Sequence, residues 1–172
     1  MPDTRTSIRV AIVTVSDGVA SGRREDLGGP ACEAALRAAG LPVDVVAREV
    51  VADEPDGVAA AVALRVDSGQ VDLLVLTGGT GVSPRDRTPE AVRPLLDIEV
   101  PGLAEKMRAE TSRGFAAAYL SRQLAGIRGS TLVVAVPGSP SGARDCLLAV
   151  AELIPHALSL AKGEHAPHPR PA

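Results

Sequence analysis

Aromatic side chains are nearly missing from this 172-residue chain, which has one Phe, one Tyr and no Trp. Phe115 and Tyr119 cannot supply the stacking platforms that grip single-stranded nucleic acid, and the core has to be aliphatic, built from Val, Leu, Ile and Ala. Lysine is as scarce. Lys106 and Lys162 are the only two, so arginine carries most of the positive charge, and the net charge is −3. No basic tail or stripe is present to hold a duplex, so no nucleic-acid partner is expected. Cys32 and Cys146 stand far apart in helix-like surroundings, without the close spacing of a zinc knuckle or a redox pair, and read as buried free thiols. His156, His165 and His168 gather near the end, one in a helix and two among prolines, and make a poor metal-ligand set. No apolar run reaches membrane-spanning length, and Met1 to Arg9 has no apolar segment of signal-peptide length. The expectation is no membrane partner and a cytoplasmic protein.

What is present is a 45% hydrophobic composition arranged as short apolar runs alternating with longer amphipathic stretches. That is the pattern of an α/β domain, a mostly parallel sheet covered by helices. At this length one domain is expected, burying roughly 70% of the surface its unfolded chain exposes. Strands are expected at Val10 to Val15, Val43 to Val51, Val71 to Thr77 and Thr131 to Val136. Helices are expected at Gly29 to Ala39, Pro55 to Asp67, Pro89 to Leu96, Gly102 to Arg113 and Ala143 to Lys162. The segment from Phe115 to Gly129 has mixed periodicity and receives no assignment. Residues 1–163 form the expected domain, and the Pro- and His-containing stretch 164–172 reads as a frayed tail.

The polar residues fall where each strand ends. Ser16 and Asp17 follow the first, Asp53 the second, Gly78 to Gly81 the third, and Pro137-Gly138-Ser139-Pro140 the fourth. In open α/β sheets the ligand crevice lies outside the carboxyl ends of the strands, so four segments are expected to meet at one pocket. Gly78-Gly79-Thr80-Gly81 lacks both the dinucleotide fingerprint and the Lys-Ser/Thr end of a P-loop. It suits a turn whose bare amides approach an anion, with a plain strand-to-helix connection as the alternative. Arg85 offers a planar fork for phosphate or carboxylate, and Asp86 beside it can hold Mg²⁺. Thr88-Pro89-Glu90 reads as a helix opening with Thr88 as N-cap. Asp53 is either the N-cap of the next helix or a carboxylate placed in the crevice. Asp17 is either a turn residue or a substrate contact. Ser121 and Arg122 read as exposed side chains or, folded over the crevice, as partners for a second anionic group.

In this order the motifs Thr14-Val15-Ser16-Asp17, Asp53-Glu54, Thr77 to Gly81 with Arg85-Asp86 and Thr88-Pro89-Glu90, Leu120-Ser121-Arg122 through Gly129, and Pro137 to Pro140 resemble those of the Mog/MoaB family of molybdenum-cofactor biosynthesis. The similarity runs from about Ile8 to Gly163. It implies a three-layer α/β/α sandwich, usually a homotrimer, that binds molybdopterin and ATP and transfers AMP to the terminal phosphate of the pterin, releasing pyrophosphate. By the same resemblance Asp53 and Asp86 are the acidic pair serving Mg²⁺ and catalysis, and Gly78, Gly79, Thr80 and Gly81 form the phosphate-and-pterin loop. Ser16, Asp17, Arg85, Thr88, Ser121, Arg122, Pro137, Gly138, Ser139 and Pro140 are then substrate-binding positions. A molybdenum-insertion partner is a further expectation. Two other functions fit the same residues: a pterin-binding MoaB-like protein that adenylates nothing, and a nucleotide-pyrophosphate hydrolase. The two carboxylates beside an anionic ligand favour the enzyme over the binder, and the short chain speaks against the hydrolase.

Overall fold

The computed structural model describes residues 7–164. Its strands are β1 (Ile8–Val15), β2 (Val43–Val51), β3 (Leu73–Thr77), β4 (Ile98–Glu99), β5 (Leu124–Arg128) and β6 (Thr131–Val136), and its helices are α1 (Asp17–Ala20), α2 (Gly28–Ala38), α3 (Pro55–Asp67), α4 (Thr88–Val92), α5 (Pro101–Ser112), α6 (Pro140–Val150) and α7 (Ile154–Ala161). The strands form one sheet in the order β2-β1-β3-β6-β5-β4. The first four run parallel, while β5 and β4 are antiparallel additions on the β6 side.

Strand period explains how the two faces are filled. In β1, Val10 and Ile12 point into one apolar cluster with Cys32 and Leu36 of α2, Met107 of α5 and Leu147 of α6. Ala11, Val13 and Val15 point the other way, onto Val58 and Val62 of α3 and Val92 of α4. Residues of β3 and β6 are buried without interruption, as expected for strands covered on both faces by helices. This is the helix-covered, mostly parallel sheet that the alternating sequence pattern predicts, in the three layers that the family resemblance implies.

The departures have local causes. The helix expected over residues 143–162 begins earlier, at Pro140, and is broken: α6 ends at Val150, a 3-10 turn covers Ala151–Leu153, and α7 restarts at Ile154. Pro155 accounts for the restart, because an interior proline removes a helical hydrogen bond and crowds the preceding turn, whereas the first turn tolerates it. Pro94 similarly falls in a 3-10 turn, Arg93–Leu95, that replaces the end of the expected helix to Leu96. The unassigned segment holds a 3-10 turn, Ala116–Leu120, followed by β5. His165, His168 and the expected tail from residue 165 onward lie outside the described residues. Among those described, no helix is long and apolar enough to cross a membrane.

Candidate active site

β2 pairs with one edge of β1 and β3 with the other, so the chain winds in opposite directions from β1. Ligand crevices form at such a switch point, outside the carboxyl ends of the strands. A cleft of about 690 Å³ opens there, and its walls include Thr14 near the end of β1 and Ser16 after it, Asp53 after β2, Thr77 closing β3 with Gly78 to Gly81 after it, and Pro137 to Pro140 after β6. The four segments expected to converge therefore do meet. A second cavity of about 420 Å³ borders it, sharing Ala117, Ser121, Pro137 and Ser139.

The glycine turn is shaped by conformations and approaches that other residues resist. Gly78 and Gly79 have φ of +112° and +64°, in the region favouring glycine. A Cβ on Gly78 would overlap the Val15 carbonyl, and one on Gly79 would run into Thr88 Oγ1. At Gly81 the carboxylate of Asp86 comes close enough that a Cβ would sit 2.7 Å from its Oδ2. The Gly79, Thr80 and Gly81 amides donate to no described backbone group. Gly78 N–H instead holds the Val136 carbonyl at 3.1 Å, fixing the turn to β6.

Asp53 and Asp86 both border this turn, Asp53 beside Gly79 and Asp86 beside Gly81. Asp53 is not a helix cap: Glu54 occupies the N-cap position of α3, with no side-chain cap bond. Instead, Asp17 N–H donates to Asp53 Oδ2 at 2.8 Å, and Asp53 N–H donates back to Asp17 Oδ1 at 3.0 Å. Asp53 Oδ1 lies beside Gly79, 3.3 Å from where a Cβ would be. Burial raises the Asp53 carboxyl above its ordinary range, and the charges of Asp17 and Asp86 push the same way, against the Asp17 amide and Arg85. Asp86 Oδ2 accepts from Ser83 N–H at 3.0 Å. A half-buried carboxylate held reluctantly ionised beside a second one suits a divalent cation. Among the described residues no group of three or more His, Cys, Asp or Glu could hold a metal ion.

Of the expected substrate-binding positions, Ser16, Gly78, Gly79, Thr80, Gly81, Ser121, Pro137, Gly138, Ser139 and Pro140 line the cleft, whereas Asp17, Arg85, Thr88 and Arg122 do not. Each of the latter four is occupied elsewhere. Arg85 reaches back to Asp17 at 2.8 Å and to Glu54 at 2.9 Å, so its fork is filled by carboxylates of the protein. Arg122 donates from Nε to Gly81 O at 2.8 Å and also holds the Asp86 carbonyl and the Glu90 carboxylate. It buttresses the glycine loop from behind. Thr88 is the first residue of α4 and not its cap; its hydroxyl donates to Gly78 O at 2.9 Å. The hydroxyls of Ser16 and Ser139 accept from Val19 and Gly142 amides at 3.3 Å and cap α1 and α6. Thr80 and Ser121 share a hydroxyl–hydroxyl bond of 3.1 Å across the loop.

Among the lining residues that the sequence reading did not single out are Asp26 and Arg24. Asp26 accepts from Thr14 Oγ1 at 2.9 Å and from Gly29 N–H at 3.0 Å, and Arg24 lies beside it on the rim. Thr77 Oγ1 donates to Pro137 O at 2.8 Å, joining β3 to the last wall. An acid three residues before a glycine amide, ahead of a helix, is a capping pattern and could have marked Asp26. Both cysteines are buried and free as expected. Burial pushes the thiols up to about 12 at Cys32 and about 11 at Cys146, so neither is a nucleophile at neutral pH.

The sequence profile of a family described as a probable molybdopterin binding domain matches residues 11–156. A molybdopterin adenylyltransferase of Helicobacter pylori strain J99 is 38% identical over 159 residues, covering 92% of this chain and 90% of its own. The molybdopterin adenylyltransferase of Escherichia coli K12 is 33% identical over 141 residues, covering 82% of this chain and 72% of its own. Among solved structures, the molybdopterin biosynthesis enzyme MoaB of Thermus thermophilus superposes with a TM-score of 0.85 at 50% identity, over 91% of this chain and 98% of that one. With a switch-point cleft built on the segments that carry the resemblance, the chain belongs to the molybdopterin-binding domain family of molybdenum-cofactor biosynthesis.

Proposed function

We propose that this protein transfers AMP from ATP to the terminal phosphate of molybdopterin and releases pyrophosphate. The observation that carries the reading is the convergence of the Gly79 to Gly81 amides with the carboxylates of Asp53 and Asp86 in one cleft. A phosphate oxygen of the pterin attacks the α-phosphorus of ATP in line. A new P–O bond forms as the bond to the β-phosphate oxygen breaks, and the electron pair leaves with pyrophosphate. The attacking phosphate monoester is already ionised at neutral pH, so no protein nucleophile is needed.

The protein's share is positioning and charge placement. Loop amides hold phosphate oxygens, with Thr80 and Ser121 fixing the loop and Arg122 bracing it behind. Asp53 and Asp86 would hold Mg²⁺, which supplies charge neutralisation along the phosphate chain. The neighbouring cavity gives a second ligand room beside the first. In this reading the molecules assemble as cytoplasmic homotrimers, which light scattering of the purified protein tests.

Incubation with molybdopterin, ATP and Mg²⁺, followed by chromatography, is expected to yield adenylated pterin and pyrophosphate in equal amounts. Pterin that stays bound without gaining AMP would instead make the protein a carrier. Nucleotide hydrolysis without any pterin would make it a hydrolase.

A further inference from the structure

The charged side chains lining the cleft are Glu25, Asp26, Asp53, Asp86 and one cation, Arg24. Arg85 and Arg122, the arginines that the sequence marks for anions, are both engaged by carboxylates and carbonyls of the protein. Arg24 is different. Its backbone N–H donates to Gly18 O at 3.0 Å, while its guanidinium makes no ion pair or hydrogen bond with any described residue.

Its stem is nevertheless placed. It crosses α1 over Gly18, where a Cβ would sit 2.9 Å from Arg24 Cδ. The missing side chain at position 18 is the space in which the arginine lies. A planar guanidinium on the rim of a water-accessible cleft, with no donor taken by any described residue, is built for bidentate contact with a phosphate. An anionic ligand entering between four carboxylates also needs a positive group to meet it.

We propose that Arg24 is the phosphate-binding cation of the cleft and that Gly18 holds it in place. The shared chemistry is a phosphate group, borne either by the polyphosphate of the nucleotide or by the terminal phosphate of the pterin. The inference rests on the cleft being the phosphate site of the proposed reaction, but its test does not require turnover.

Inorganic pyrophosphate is titrated calorimetrically into the wild type, Arg24→Ala, Arg24→Lys, Gly18→Ala and the exposed control Arg37→Ala in metal-free buffer. Arg24→Ala is expected to weaken binding roughly tenfold to a hundredfold, as for loss of charge-assisted hydrogen bonds. Arg24→Lys should recover part of the loss, Gly18→Ala should reproduce part of it by displacing the stem, and Arg37→Ala should match the wild type. Equal affinity in the wild type and Arg24→Ala overturns the assignment, and so does a wild type that binds no pyrophosphate.

Titration with ATP then separates the sources. An ATP affinity that falls with Arg24→Ala assigns the nucleotide phosphates, and an unchanged one with a raised KM for molybdopterin assigns the pterin phosphate. A protein that binds pyrophosphate through Arg24 yet forms no adenylated pterin keeps this inference and loses the proposed reaction. Adenylation at wild-type rate and KM in Arg24→Ala does the reverse.

Discussion

Asp72 precedes β3 at the amino end of the parallel strands, and Asp53 follows β2 at their carboxyl end; both are aspartates withdrawn from solvent. Asp72 is 5% exposed and is surrounded by donors: Arg9 Nε and Lys162 Nζ at 3.0 Å and the Arg9 amide at 2.9 Å. Burial alone would raise its carboxyl, but these donors outweigh burial and hold it far below the ordinary range. Asp53 has one amide donor and faces two further acids, and burial moves its carboxyl the other way. One end of the sheet satisfies its carboxylate within the chain. The other leaves a carboxylate short of positive charge, which is where an external cation has reason to bind.

The largest expected effect is on turnover. Asp86→Ala should lower adenylyl transfer by about a hundredfold or more, the range for losing a group that stabilises developing charge, with the unfolding midpoint nearly unchanged. A variant that transfers AMP at the normal rate would remove Asp86 from the chemistry.

At the opposite end, Asp72→Ala should leave turnover per folded molecule intact and cost about 2–4 kcal/mol of stability in denaturant titration. That figure sits somewhat below the usual cost of breaking a buried pair, because Arg9 and Lys162 are partly solvated. If Asp72→Ala instead abolished transfer without destabilising, the division of roles between the two ends would be wrong.

The two carboxyls also predict opposite pH behaviour. The folded-state value of Asp72 is depressed, so its stabilisation is present above the unfolded value near 3.9 and is lost as pH falls towards the folded one. Asp72→Asn should therefore flatten the acid limb of the stability profile. The folded-state value of Asp53 is raised, so its contribution is fully present below the unfolded value and is lost as pH rises through the folded value. Asp53→Asn should be as stable as the wild type at pH 7 or more so.

The smallest effect is expected from Arg85→Ala. Its partners Asp17 and Glu54 are exposed, and solvated pairs contribute little. Thermal unfolding should barely shift, and pyrophosphate affinity should hold, since Arg85 lies outside the cleft wall.

The four parallel strands were legible because β1, β3 and β6 are apolar runs and β2 is rich in valine, each ended by a polar or glycine-rich turn. The polar residues at their carboxyl ends were legible for the same reason. β4 has two residues, and β5 reads Leu-Ala-Gly-Ile-Arg with Gly126 at its centre, so neither offers an alternation to detect. Long-range pairing created both. The same limit applies to orientation. Arg85 and Arg122 carry the right chemistry for an anion, but their partners Asp17, Glu54 and Glu90 lie 31 or more positions away in the chain, and only the folded arrangement shows that their donors are taken. Arg24 looked ordinary because nothing beside it in sequence announces the cleft.

The most direct test is single-turnover adenylyl transfer by Asp53→Asn, measured alongside its free energy of unfolding. Product formation should fall about a hundredfold or more in a protein no less stable than the wild type. Undiminished transfer, or a loss explained by unfolding, would contradict the claim that the carboxyl end of the sheet holds its aspartate for chemistry.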